Sequence, residues 1–164
     1  MITIDPIKPE EWKEAFAIMR PVFARGDTCT YAPDITEAEA FSAWIKQAEA
    51  TFIAKNDNGD VVGIYYLKPN QPGLGSHVVN AGYIVRESAR GRGIAALMCE
   101  HSQAEAKRRG YRAMQFNTVV STNEVAVKLW QRLGFEIIGR VPEGFRHKDL
   151  GYIDTLIMWK KLSP

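Results

Sequence analysis

The chain has 164 residues, 46% of them hydrophobic and 24% charged, with a net charge of +2. That length suits one domain with a sizeable core, and we expect a single domain over residues 1–164. The charge gives no case for nucleic acid, no apolar run approaches the roughly 18 residues of a membrane span, and Met1–Pro6 lacks the regions of a secretory signal; the composition points to the cytoplasm, away from membranes.

Ile2–Ile4 reads as a first strand. Trp12, Phe16, Met19 and Phe23 then recur at helical spacing between Glu10 and Phe23. A second helix is expected from Thr36 to Ala48, with Phe41, Trp44 and Ile45 on one face and Thr36 with Glu39 as a capping box. Thr51–Lys55 and Val61–Leu67 are strands joined around Asn58-Gly59, a hairpin signal. After a loop, Pro69–Gly75, His77–Val85 reads as a strand. Ile94, Leu97, Met98 and His101 mark one face of a third helix, closed by Gly110. Ala113–Val119 is a strand, and Ser121 with Glu124 gives a second capping box. The short helix it opens turns Ala126, Leu129, Trp130 and Leu133 inward. Phe135–Val141 and Tyr152–Trp159 finish as a strand pair. The order β-α-α-β-β-β-α-β-α-β-β implies an α/β fold: a mixed sheet with helices on both faces.

The most informative stretch is Tyr83 to Ala96. An apolar strand ends in a basic, glycine-rich turn that opens at once into a helix. The first amides of a helix lack internal acceptors, and the dipole adds partial positive charge. Gly91 and Gly93 remove obstructing side chains, while Arg90 and Arg92 add full charges. These residues read as a pyrophosphate site. A Walker loop would need Gly-Lys-Ser or Gly-Lys-Thr, and Ile94 follows Gly93 instead. Gly91, Gly93 and Ala96 satisfy a permissive G-x-G-x-x-A fingerprint, yet Ala106–Asn123 holds no acidic residue for a ribose. A glycine turn that merely links strand to helix is the structural alternative.

Arg90, Gly93 and Ala95 also fill the fixed places of Q/R-x-x-G-x-G/A. In this the region resembles the acetyl-CoA loop of the GNAT superfamily of acyl-CoA N-acyltransferases. Asn123 to Phe135 resembles that family's second hallmark, N-x-x-A-x-x-L-Y-x-x-x-G-F, with Trp130 in the tyrosine's place. The resemblance implies the GNAT fold, its sheet splayed at the strand before the turn, with acetyl-CoA as co-substrate and no metal. It assigns the pantetheine arm and the thioester oxygen to the backbone of Tyr83, Ile84 and Val85. The pyrophosphate falls to Arg90, Gly91, Arg92, Gly93, Ile94, Ala95 and Ala96, and further coenzyme contacts to Asn123 and Trp130. For Asn123 the alternative is a helix cap. A homodimer is also implied.

Acetyl transfer needs a neutral amine, a polarised carbonyl and a proton for the leaving thiolate. Indole N–H does not serve as a proton donor at neutral pH, so Trp130 leaves the usual general acid missing. Tyr83 and Tyr152 are the candidate hydroxyls, each otherwise a half-buried strand aromatic. His77 has a suitable intrinsic pKa for a base, and His101 and His147 read as structural. Cys29 and Cys99 offer neither disulfide framework nor metal spacing. Asn80 and Asn117, at strand positions that disfavour Asn, read as carboxamide donors for a substrate carboxylate or the thioester oxygen, or else as caps of backbone groups. The pair, in Asn80-Ala81-Gly82-Tyr83 and Phe116-Asn117, resembles a GNAT branch that acetylates azetidine-2-carboxylate. Gly26–Tyr31 and Phe145–Asp149 would flank the substrate mouth, with Arg146 or Lys148 free to hold an acidic group. The expected activity is direct N-acetylation of a small amino-acid-like primary or secondary amine. Protein N-terminal or lysine acetylation, or acyl-CoA sensing without turnover, are the alternatives.

Overall fold

The computed structural model describes residues 1–163. Eleven elements follow one another: β1 (Thr3–Pro6), α1 (Trp12–Arg25), α2 (Glu37–Phe41), β2 (Ala50–Lys55), β3 (Val61–Pro69), β4 (Val78–Val85), α3 (Ile94–Arg108), β5 (Ala113–Val120), α4 (Glu124–Arg132), β6 (Glu136–His147) and β7 (Gly151–Lys161). The expected order of helices and strands holds throughout. The strands form one sheet in the order β1-β2-β3-β4-β5-β7-β6. Every junction is antiparallel except β4 with β5.

Two apolar clusters cover the two faces. Alternate side chains of a strand point to opposite faces. On β4, Val79 and Ala81 join the cluster under α3 and α4, whereas Ile84 joins the one under α1 and α2. The first cluster contains a run of aromatic rings: Phe116 lies 4.4 Å from Phe135 and 5.0 Å from Trp130, and Trp130 lies 5.2 Å from Tyr83. The second is built on Trp12, Phe23, Trp44 and Tyr66.

Local chemistry explains the boundaries, including those that differ from expectation. The Thr36 capping box forms: its Oγ1 accepts the Glu39 N–H at 3.1 Å, and the Glu39 carboxylate accepts the Thr36 N–H at 3.1 Å. The helix it opens is regular only to Phe41. Ser42–Lys46 widens into a π-type turn, in which the Gln47 N–H reaches the Ser42 carbonyl at 2.9 Å. On α3 the inward stripe is Ile94, Met98, Ser102 and Ala106, with Cys99 and Gln103 beside it. Leu97, expected on that face, is 43% exposed because spacing of four, rather than three, meets the sheet here.

The second capping box does not form. Asn123, two residues beyond Ser121, occupies the cap of α4, its Oδ1 accepting the Ala126 N–H. Asn123→Ala should therefore lower stability by about 1 kcal/mol, read as a shift of the urea midpoint at constant slope. β5 follows the expected Ala113–Val119 strand closely. It runs on to Val120 past an irregularity between Phe116 and Val119, which leaves Asn117 and Thr118 exposed. β6 extends six residues beyond Val141, again through an irregularity.

Candidate active site

The parallel junction is incomplete. β4 pairs with β5 only at Val78–Ala113, Val79–Met114 and Asn80–Gln115. It stays paired with β3 from Val79 through Val85. Beyond Asn80, β4 and β5 therefore part company. In an antiparallel pair, backbone groups of successive residues turn alternately towards and away from the partner. The Val78 carbonyl accepts the Asn70 N–H, and the Arg86 N–H donates to Val62, so even-numbered residues of β4 face β3. Tyr83 and Val85 then present N–H and C=O to the opened edge. Ile84, expected among the groups for the pantetheine arm, turns its backbone into the β3 ladder instead.

The opened edge leads straight into the glycine turn. Gly91 and Gly93 have φ of 77° and 76°, a region that side chains with Cβ adopt only under strain. A Cβ at either would meet no protein atom within 4 Å, so both glycines border open space. Gly93 is the N-cap of α3 and makes no side-chain capping bond. Among the described residues, no amide from Gly91 to Ala96 donates to a backbone carbonyl; the first to do so is Leu97, to Gly93 at 3.1 Å. Arg90 and Arg92 are exposed beside them. Six amides without acceptors, two cations and a helix dipole make an anion cradle. The loop is tethered behind by Glu87, paired with Arg25 of α1 at 3.2 Å. A surface depression of about 440 Å³ lies on the α1 side of the loop, lined by Glu14, Asp60 and Glu87. Arg86 lines it as well, and none of Gly91 to Ala96 does.

Asn80 sits where the ladder ends and is 6% exposed. Its Nδ2 donates to the Gln115 carbonyl across the last rung at 3.0 Å, and its Oδ1 accepts the Tyr66 hydroxyl at 3.0 Å. The amide thus ties β3, β4 and β5 together, with one N–H and one lone pair left over. Tyr66 lies flat on Gly82, where a Cβ would come within 2.6 Å of the ring. Its ring also takes the Trp44 indole edge-on at 4.8 Å, and the Tyr31 phenol faces its hydroxyl. The Trp44 Nε1 is buried without an acceptor. Burial pushes both phenols up, that of Tyr66 well beyond the usual range, so both stay protonated. Asn117, on the irregular part of β5, is exposed; it donates to Asn70 at 2.7 Å and accepts from Gln115 at 3.1 Å. Gln115, Asn117 and Asn70 form a chain of carboxamides beside Asn80. Tyr31 closes a segment expected to flank the mouth, whereas Tyr66 was not among the residues expected in the site. Only the register of β3 against β4 reveals Tyr66.

Tyr83 is corrected as a proton donor. Its hydroxyl is turned into the α3 side, 2.6 Å from Ser102 Oγ, and burial raises its pKa strongly. Tyr152 is 64% exposed at the start of β7, next to Arg146. His77 stands before β4, at the closed end of the ladder, with Gly82 five residues, roughly 16 Å, further along. His101 is structural: its Nδ1 meets the Tyr65 hydroxyl at 2.7 Å. Cys29 is no ready nucleophile, since burial raises its pKa. The mouth segments do meet, because the Lys148 N–H bonds the Gly26 carbonyl at 3.0 Å.

Known proteins share sequence and fold with this chain. The Acetyltransferase (GNAT) family profile matches residues 12–135. The chain belongs to the GNAT family. It is 37% identical over 98 residues to N-acetyltransferase aca1 of Schizosaccharomyces pombe, covering 59% of this chain and 47% of that protein, so it spans about half of that relative's length. A GCN5-related N-acetyltransferase from Kribbella flavida superposes with a TM-score of 0.92 at 38% identity, over 98% of this chain and 97% of the other. A phosphinothricin acetyltransferase from Sinorhizobium meliloti, solved in complex with acetyl-CoA, shares the fold: TM-score 0.87, 20% identity, 99% and 89% coverage.

Within this GNAT fold, Trp130 fills a structural place. It is 9% exposed, between Tyr83 and Phe116. Trp130→Phe is expected to keep turnover within about threefold of the parent, because an indole gives up no proton, while a cavity term lowers stability by about 1–3 kcal/mol. Turnover rates and thermal unfolding of the two proteins check both halves.

Proposed function

We propose that this protein is an N-acetyltransferase that moves the acetyl group of acetyl-CoA directly to the amine of a small, amino-acid-like molecule in the cytoplasm. The observation that carries the reading is the opened β4 edge running into six unpartnered amides at the start of α3. The S. pombe relative's name and the acetyl-CoA complex of the S. meliloti protein support it. Gly91 to Ala96 would bind the pyrophosphate and Tyr83 and Val85 the pantetheine arm. Asn123 caps α4 through Oδ1, which leaves its N–H groups for the coenzyme. The amine nitrogen attacks the thioester carbon, the C–N bond forms, the C–S bond breaks, and the proton that the nitrogen loses balances the one that the thiolate takes up. A coenzyme thiol of ordinary acidity leaves without a strong acid. Positioning and carbonyl polarisation by a backbone N–H supply the larger part of the rate. The exposed amide of Asn117 and the spare N–H of Asn80 face the same opening.

Thiol release from acetyl-CoA, measured against amino acids, proline analogues, polyamines and peptides, tests this. Amine-dependent release is expected, strongest with the small amino and imino acids. Release with peptides alone would instead favour a protein acetyltransferase. Acetyl-CoA binding with no release for any amine would favour a sensor, the reading that Trp130 in the tyrosine's place keeps open.

A further inference from the structure

A row of side chains crosses the α1–α2 face of the sheet at the last rung of the parallel ladder. Lys68, Asn80, Gln115 and Trp159 are register partners on successive strands. Partners directly opposite one another have Cβ atoms about 5 Å apart, so Lys68 lies beside Asn80. Its ammonium stands 5.3 Å from the centre of the Tyr66 ring, whose hydroxyl Asn80 holds.

Four basic residues are half-buried: Arg25, Lys55, Lys68 and Lys160. Arg25 pairs with Asp27 and Glu87, and Lys55 with Glu11. Lys160 donates to Gln103 at 2.6 Å and to the Leu133 carbonyl at 2.7 Å. Among the described residues, Lys68 alone of the four has neither a carboxylate nor a hydrogen-bond acceptor. A partly desolvated cation without an anion is unfavourable, and a ring face offsets only part of that. Around it stand neutral amides, those of Asn80, Gln115, Asn117 and Asn70. One positive charge among carboxamides matches a single carboxylate better than a dianion. From this row the opened edge at Gly82 and Tyr83 lies two or three residues, roughly 7–10 Å, along β4. A side chain as long as lysine bridges most of that distance.

We infer that Lys68 binds the carboxylate of the acceptor, and so selects α-amino or α-imino acids over simple amines. The inference rests on the proposed acetyl transfer. Lys68 fixes one end of the acceptor while the amine, one carbon away, faces the thioester.

The test measures thiol release by the parent, Lys68→Met and Lys68→Arg, with azetidine-2-carboxylate and the common amino acids, each beside its own carboxamide. The parent should prefer the acid over the carboxamide by about 10- to 100-fold in kcat/KM, the range of a hydrogen bond to a charged group. Lys68→Met should abolish that preference by raising KM for the acid far more than for its carboxamide, and raise or leave Tm. Lys68→Arg should retain most of it. Equal use of acid and carboxamide by the parent would overturn the role of Lys68 while leaving the transferase reading intact. So would an equal loss on both acceptors in Lys68→Met. No release with any amine, despite bound acetyl-CoA, would overturn both.

Discussion

Gly93→Trp should abolish acetyl-CoA binding without unfolding the protein. The residue holds φ at 76° and caps α3, with no protein atom within 4 Å of a built Cβ. A side chain there enters the space in front of the free amides rather than the core. Left-handed backbone costs a residue with Cβ about 1–2 kcal/mol, well within the stability of an ordinary domain. The affinity for acetyl-CoA should fall by at least about 100-fold, some 2.7 kcal/mol, because the indole excludes the pyrophosphate itself. Gly110→Trp is the matched control. Gly110 closes the other end of α3 at φ 89°, also with nothing within 4 Å. It should show a similar loss of stability and no loss of affinity. Calorimetric titration with acetyl-CoA and thermal unfolding of both variants decide the matter. Equal loss of affinity in the two would mean that strain, not the cradle, governs binding.

Asn80→Leu should be among the most damaging single changes in the sheet that leave its apolar volume intact. It strips the Tyr66 hydroxyl of its acceptor and the Gln115 carbonyl of its side-chain donor, both at the end of the ladder. Leaving buried polar groups unsatisfied costs about 1–3 kcal/mol each, so a loss of about 2–4 kcal/mol is expected. Tyr66→Phe alone should cost about 1 kcal/mol, since it removes the hydroxyl along with its need. In Asn80→Leu with Tyr66→Phe, part of the damage should be cancelled, giving a coupling of about 1–2 kcal/mol by double-mutant cycle in urea. Simple additivity would show that the two side chains do not act as a unit.

What could be read from the sequence, and what could not, divides along the distance over which each feature is determined. The order of elements and the glycine turn depend on neighbours within a few residues: apolar spacing, a capping Thr36, a φ that only Gly91 and Gly93 adopt freely. Those were legible. Tyr66 and Lys68 were not, because Val61–Leu67 is buried on both faces and reads as a plain apolar run. Their meaning comes from Asn80, brought opposite Lys68 by the hairpin register. Asn123 and Ser121 both suit a helix cap, and local spacing alone does not choose between them. The irregularity in β5 carries no glycine or proline to announce it. β6 runs past the expected Val141, through Pro142 and Gly144, because β7 supplies partners as far as His147.

The short β4–β5 ladder has a mechanical side as well. β1 to β4 form one antiparallel plate and β5, β7 and β6 another, each stitched by its own long ladders. Three register pairs, the side chain of Asn80, the Asn117–Asn70 amide bond and the Arg112 N–H to His77 carbonyl bond form the polar seam between them. A seam so short acts as a hinge between two stiff boards, with the aperture set by the angle at which they meet. Substitutions along the seam can therefore widen or narrow the gap between the boards while neither board loses a rung of its own ladders. The width of that opening is then set at Asn80 and Gln115, before the chain reaches the glycine turn.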